Sequence, residues 1–185
     1  MQISWDLMNE QIAQCEKCNL CRNIHNKVPG QGNANATLML IGEGPGADED
    51  LQGLAFVGRA GQLLTKMLAA IDIKREDVYI CNIVKCRPPQ NRAPLPDEAA
   101  ACMPYLRCQV AMVKPKIIVL LGATAAKYIL GDHIRITRDR GIWVEKKGVF
   151  FMPTYHPAAL LRDESKKKDA WHDLQAVRTK LNELA

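Results

Sequence analysis

Glu43, Asn82 and His156 are the residues of this chain whose types and settings could do chemistry. Glu43 lies in GEGPGADED (Gly42–Asp50), a loop stiffened by glycine and proline. A carboxylate fixed there can orient water or stabilise developing positive charge. Capping of nearby backbone N–H groups explains it equally well. Asn82 ends an otherwise apolar strand within VYICNIV (Val78–Val84). Its amide offers a donor and an acceptor side by side, matching a nucleobase edge that shows one of each; an asparagine bridging loop backbone is the commoner case. His156 is biased toward extended backbone by Pro157 and could donate to an oxygen gaining negative charge, although a lone histidine is usually structural. Phe56 is likewise more often core than a stacking platform.

Seven cysteines form the second group. Cys15-x2-Cys18 brings two thiols within reach of one metal site, and Cys86 and Cys102 lie far downstream. Cys21 extends the first pair toward a ferredoxin-like run, but the fourth cysteine followed by proline is missing nearby. Zinc and [4Fe–4S] both accept four thiolates, so spacing leaves the metal open. Burial as small apolar side chains is the alternative for Cys81, Cys86, Cys102 and Cys108. It suits Cys81, inside the strand, better than Cys86, at the strand's end. GEGPGA also fits the dinucleotide fingerprint poorly. Pro45 removes a backbone donor, and Asp48, Glu49 and Asp50 would repel phosphate. No nucleotide cofactor is expected.

These residues need elements to position them. Helices are expected over Ile3–Cys15, Arg59–Ile71, Pro96–Val113, Ala123–Leu130 and Lys168–Leu184, with strands over Thr37–Ile41, Val78–Val84 and Lys116–Leu121. Ile142–Val144 and Val149–Phe151 flank a hairpin turn at Lys146–Gly148. Wholly apolar strands alternating with helices imply an α/β fold with a parallel sheet covered on both faces. Ligands bind at the carboxyl ends of such strands, which points to the loop after Ile41, to Asn82 and to His156. The 185 residues, 48% hydrophobic, suit one domain over residues 1–185. A net charge of +5 weakly favours a polyanionic partner. The Lys166–Lys168 run reads equally as a phosphate contact or a solvated helix start. No signal peptide is readable, and the apolar stretch Ile117–Ala126 is too short to span a bilayer. A cytoplasmic protein without membrane contact is expected.

Four blocks in order, GEGPGADED, FVGRAGQLL (Phe56–Leu64), NIVKCRPPQNRAPLPDE (Asn82–Glu98) and HPAALLRD (His156–Asp163), resemble the family 4 uracil-DNA glycosylases. The resemblance covers nearly the whole chain. It implies a three-layer α/β/α sandwich with a central four-stranded parallel sheet, and a monomer that removes uracil from single- or double-stranded DNA. It implies a structural [4Fe–4S] cluster on Cys15, Cys18, Cys86 and Cys102. Phe56 would stack on the flipped base, Asn82 would read its pairing edge and His156 would donate to O2. Glu43 would position water, since Gly44 stands where the superfamily's best-known branch has an aspartate. Gly42 and Gly44 would border the base, and Glu49 would crowd its C5 side. Ala158–Arg162 would form a wedging loop, with Leu160, Leu161 and Arg162 meeting DNA and Asn91 a further contact. Two rival readings are a protein that traps uracil-DNA covalently and a non-catalytic metal-stabilised DNA-binding module. The first would need a histidine-bearing basic loop between Asn82 and Asp97, where no histidine lies.

Overall fold

A computed structural model describes residues 4–185. The first helix, α1 (Trp5–Ala13), begins where the Ser4 side chain accepts the Leu7 N–H; Ile3, expected on its apolar side, lies outside the described residues. The described strands are β1 (Gln31–Gly32), β2 (Leu38–Gly42), β3 (Tyr79–Asn82), β4 (Ile117–Leu121), β5 (Val144–Lys146) and β6 (Val149–Thr154), ordered β1-β3-β2-β4-β6-β5 in one sheet. The central β3-β2-β4-β6 pairs are parallel. The four-stranded expectation therefore holds for the middle of the sheet, and antiparallel β1 and β5 extend it to six strands.

Side chains alternate between two cores, as the pleat requires. Met39, Ile41, Cys81, Ile118 and Leu120 pack on one face with Met8 and Ile12 of α1, Leu106 of α4 (Pro96–Val113) and Ala126 of α5 (Ala123–Leu130). Leu38, Leu40, Ile80, Val119 and Met152 pack on the other with Leu64 and Leu68 of α3 (Arg59–Ala69) and Leu174 and Val177 of α8 (Lys167–Glu183). The result is the expected three-layer sandwich. No helix among the described residues is long and apolar enough to cross a membrane.

Register places the working ends. Gly42 pairs with Asn82 and Leu121 with Thr154, so all four parallel strands finish at one edge of the sheet. Two expected loops there are helical: α2 (Ala47–Gln52) and α7 (Pro157–Arg162). The acids after Gly46 occupy the first turn of α2, where negative charge suits the helix dipole. In α7, Pro157 takes a position that needs no N–H and His156 caps the turn. A short α6 (Ile136–Asp139) precedes the hairpin.

Candidate active site and thiol cavity

The strand ends open into a cleft of about 520 Å³ lined by Glu43, Asn82 and His156 together, with Gly44, Glu49, Phe56, Asn91, Thr124 and Arg162. Asn82 is 2% exposed, and its Oδ1 has no hydrogen-bond partner. A buried acceptor left unpaired is costly, and in a cleft wall it is a socket for a donor on a ligand. Gly42 makes this possible. A Cβ there would stand 2.5 Å from Asn82 Oδ1 and 2.5 Å from Phe56 Cζ. Beneath Asn82, buried Lys85 donates to its main-chain carbonyl (2.7 Å) and to Gln109 Oε1 (2.7 Å), pinning the strand end from below.

His156 sits at the amino end of α7, and its Nδ1 accepts the Ala158 N–H at 3.0 Å. The ring proton is therefore on Nε2. Burial, reinforced by the nearby Arg162 charge, pushes the imidazole pKa down to about 4, so at neutral pH the ring is an uncharged donor. Its centroid lies 5.6 Å from that of Phe56. Phe56 itself has a left-handed backbone, φ 52°. That turn is held by Glu49, whose carboxylate accepts from Val57 N (2.8 Å), Gly58 N (2.8 Å) and Gly46 N (3.1 Å). Arg75 fixes the other side through the Ala55 carbonyl at 2.6 Å. Glu43 accepts from the Thr124 hydroxyl.

Behind the cleft, Cys15, Cys18, Cys86 and Cys102 line one apolar cavity with Cys21, Ile12, Leu20, Val84 and Tyr105. Cys15 and Cys18 follow α1, Cys86 follows β3 and Cys102 projects from α4. The Lys85 N–H points at Cys102 Sγ, 3.3 Å away. Burial, with repulsion from Cys102 and Cys18, pushes the Cys86 thiol up to about 12. Cys81 is buried within the sheet, and Cys108 packs at the edge of the same core. Among the described residues, no three His, Cys, Asp or Glu side chains stand close enough to hold a single ion.

A model of the uracil DNA glycosylase superfamily matches residues 29–175. Similar curated proteins are type-4 uracil-DNA glycosylases. That of Thermotoga maritima is 47% identical over 86% of this chain and 84% of its own length. That of Sulfurisphaera tokodaii is 44% identical over 95% and 84%, and that of Archaeoglobus fulgidus 43% over 94% and 92%. The chain belongs to the type-4 branch of the uracil-DNA glycosylase superfamily. Most site residues expected of a family 4 glycosylase line the cleft. The two leucines of α7 differ: Leu160 is 2% exposed and packs with Tyr155 and Ala170, whereas Leu161 is 39% exposed. Gly44 packs against Val84, where a Cβ would come within 2.9 Å. Asn91 lines the cleft, its Oδ1 accepting from Arg87 Nε at 2.9 Å. Sequence reasoning missed Thr124 and Arg59, which also line the cleft, as does Lys166 of the basic run. The signal for Thr124 was available: it follows the third apolar strand, whose carboxyl end belongs to the same edge.

Proposed function

We propose that this chain excises uracil from DNA by hydrolysing the N-glycosidic bond, leaving an abasic site for repair. The observation that carries the reading is the buried, unpartnered Asn82 Oδ1 facing the cleft shared by Glu43 and His156. The N3–H of uracil is the donor that oxygen lacks, and the Asn82 amide N–H then meets O4. Cytosine reverses both groups and is refused.

The target nucleotide must leave the stack before any side chain reaches C1′, at a cost of roughly a few kcal/mol. Leu161 fills the gap as the wedge, and Arg162, Arg59 and Lys166 supply cations toward the backbone. The extruded base stacks on Phe56. As the bond lengthens, negative charge grows on the base and reaches O2, where the neutral His156 Nε2–H donates. Positive charge grows on the sugar, which Glu43 offsets while it holds the water that attacks C1′. The carboxylate oxygens of Glu49 are taken by backbone N–H groups, so any crowding of the C5 methyl position comes from a fixed wall.

Cys15, Cys18, Cys86 and Cys102 would hold a [4Fe–4S] cluster. All four thiols line one apolar cavity, where a group held by several thiolates fits. The bound cluster would cross-link the loops behind the cleft and supply no catalytic step.

The test is single-turnover release of uracil from a labelled strand, followed by alkali cleavage. The wild-type chain should nick at uracil, and His156→Ser should be slower by about 10²–10³-fold, the worth of an oxyanion donor. A variant within a few-fold of wild type removes His156 from the mechanism; a wild-type chain that leaves uracil in place removes the activity.

A further inference from the structure

We propose that Thr124 is the positioning residue for Glu43, fixing one carboxylate oxygen so that the other is free to hold water. The inference rests on the glycosylase reading and goes one residue beyond it. The Thr124 hydroxyl donates to Glu43 Oε2 across 81 residues of sequence. A threonine in the first turn of a helix ordinarily bonds its own backbone, whereas this one reaches to another strand end. No other side-chain partner of Glu43 is present among the described residues. Thr124 sits in the opening turn of α5, just past the end of β4, where its β-branched side chain has few χ1 rotamers to choose from.

The same turn serves the other reacting group. Gly122 has φ +94°, and a Cβ there would stand 3.0 Å from His156 Cβ. Its N–H donates to the Thr154 carbonyl at 2.8 Å, tying the turn to β6 just before His156. Gly122–Ala123–Thr124 thus borders both the group that donates to the base and the group that faces the sugar, and all three residues line the cleft. The positive end of the α5 dipole also favours a carboxylate at this place. A glutamate has one more rotatable bond than an aspartate. Without the Thr124 hydroxyl, Glu43 would sample several positions, and water would be held only part of the time.

The experiment is a double-mutant cycle on the full chain. Excision is followed in single turnover, and binding is measured to the same strand carrying non-hydrolysable 2′-fluoro-deoxyuridine. Thr124→Val keeps the shape and loses the hydroxyl. It should slow excision about 10- to 100-fold, the usual worth of a hydrogen bond to a charged group, and leave binding within about twofold. Thr124→Ser should recover the rate to within about threefold of wild type. Adding Thr124→Val to Glu43→Gln should cause no further slowing, because the two act as a unit. Wild-type rates for Thr124→Val, parallel losses of rate and binding, failure of serine to restore the rate, or full additivity with Glu43→Gln would each overturn the assignment. Wild-type chain that releases no uracil sinks the glycosylase reading itself. Active wild type with an unimpaired Thr124→Val sinks the Thr124 assignment alone.

Discussion

At the scale of single residues, His156 links chemistry to stability. Its folded pKa is about 4, against an ordinary 6.5. Below pH 6.5 the unfolded chain takes up a proton that the folded ring refuses, so stability declines from pH 6.5 down to about 4 and then levels off. Above 6.5 the ring contributes nothing to the pH dependence. His156→Gln should flatten the fall in melting temperature across this window, and an unchanged slope would contradict a buried neutral imidazole. Asp50 and Glu98, whose pKa values are lowered by hydrogen bonding to His25 and Arg92, lose their contribution only at lower pH. Glu43, Asn82 and His156 were legible in the sequence because each is a polar group closing an apolar strand or following one. Leu160 and Leu161 were not distinguishable, since only the phase of α7 tells which leucine points inward. Thr124 looked like an ordinary helix residue, because its partner is remote in the chain.

At the scale of elements, α4 shows how one polar network sets a helix that serves the site. Its Glu98 carboxylate accepts the Leu95 N–H at 2.8 Å and both Arg92 guanidinium nitrogens at 2.8 Å. This closes the first turn behind Pro96. Further along, the same helix delivers Cys102 to the thiol cavity and Gln109 to Lys85 beneath Asn82. Glu98→Ala should lower stability by about 1–2 kcal/mol through the lost cap. Glu98→Gln, which still accepts from Leu95, should lose less; equal losses in urea unfolding would mean that the cap contributes nothing. The long elements were readable: α4 and α5 have their expected bounds, because apolar periodicity runs through several turns. The short ones were hidden. A two-residue β1 has no periodicity to read, and the acids of α2 resemble a solvated loop unless the helix dipole is considered.

At the scale of the whole molecule, the thiol cavity gathers three distant stretches of chain: the segment after α1, the end of β3 and the middle of α4. The proposed metal centre would cross-link them and make metal binding part of the folding free energy. Cys86→Ser should lose iron and visible colour and melt at a lower temperature. A colourless wild-type chain with no iron, or a variant that melts with the wild type, would remove the cluster from the stability of the fold. The sequence signalled that the cysteines belonged together only through resemblance, because spacing alone is blind to the fold that unites them. One further consequence follows from α7. His156 caps it, Leu160 anchors it in the core, and Leu161 and Arg162 point out of it, all within a single six-residue helix and its cap. On the proposed reading, the residues that would pry the duplex apart and the group that would steady the departing base thus belong to one stiff part. A base that resisted extraction would then leave this part unseated, imidazole included, and prying would act as a safety catch on cutting.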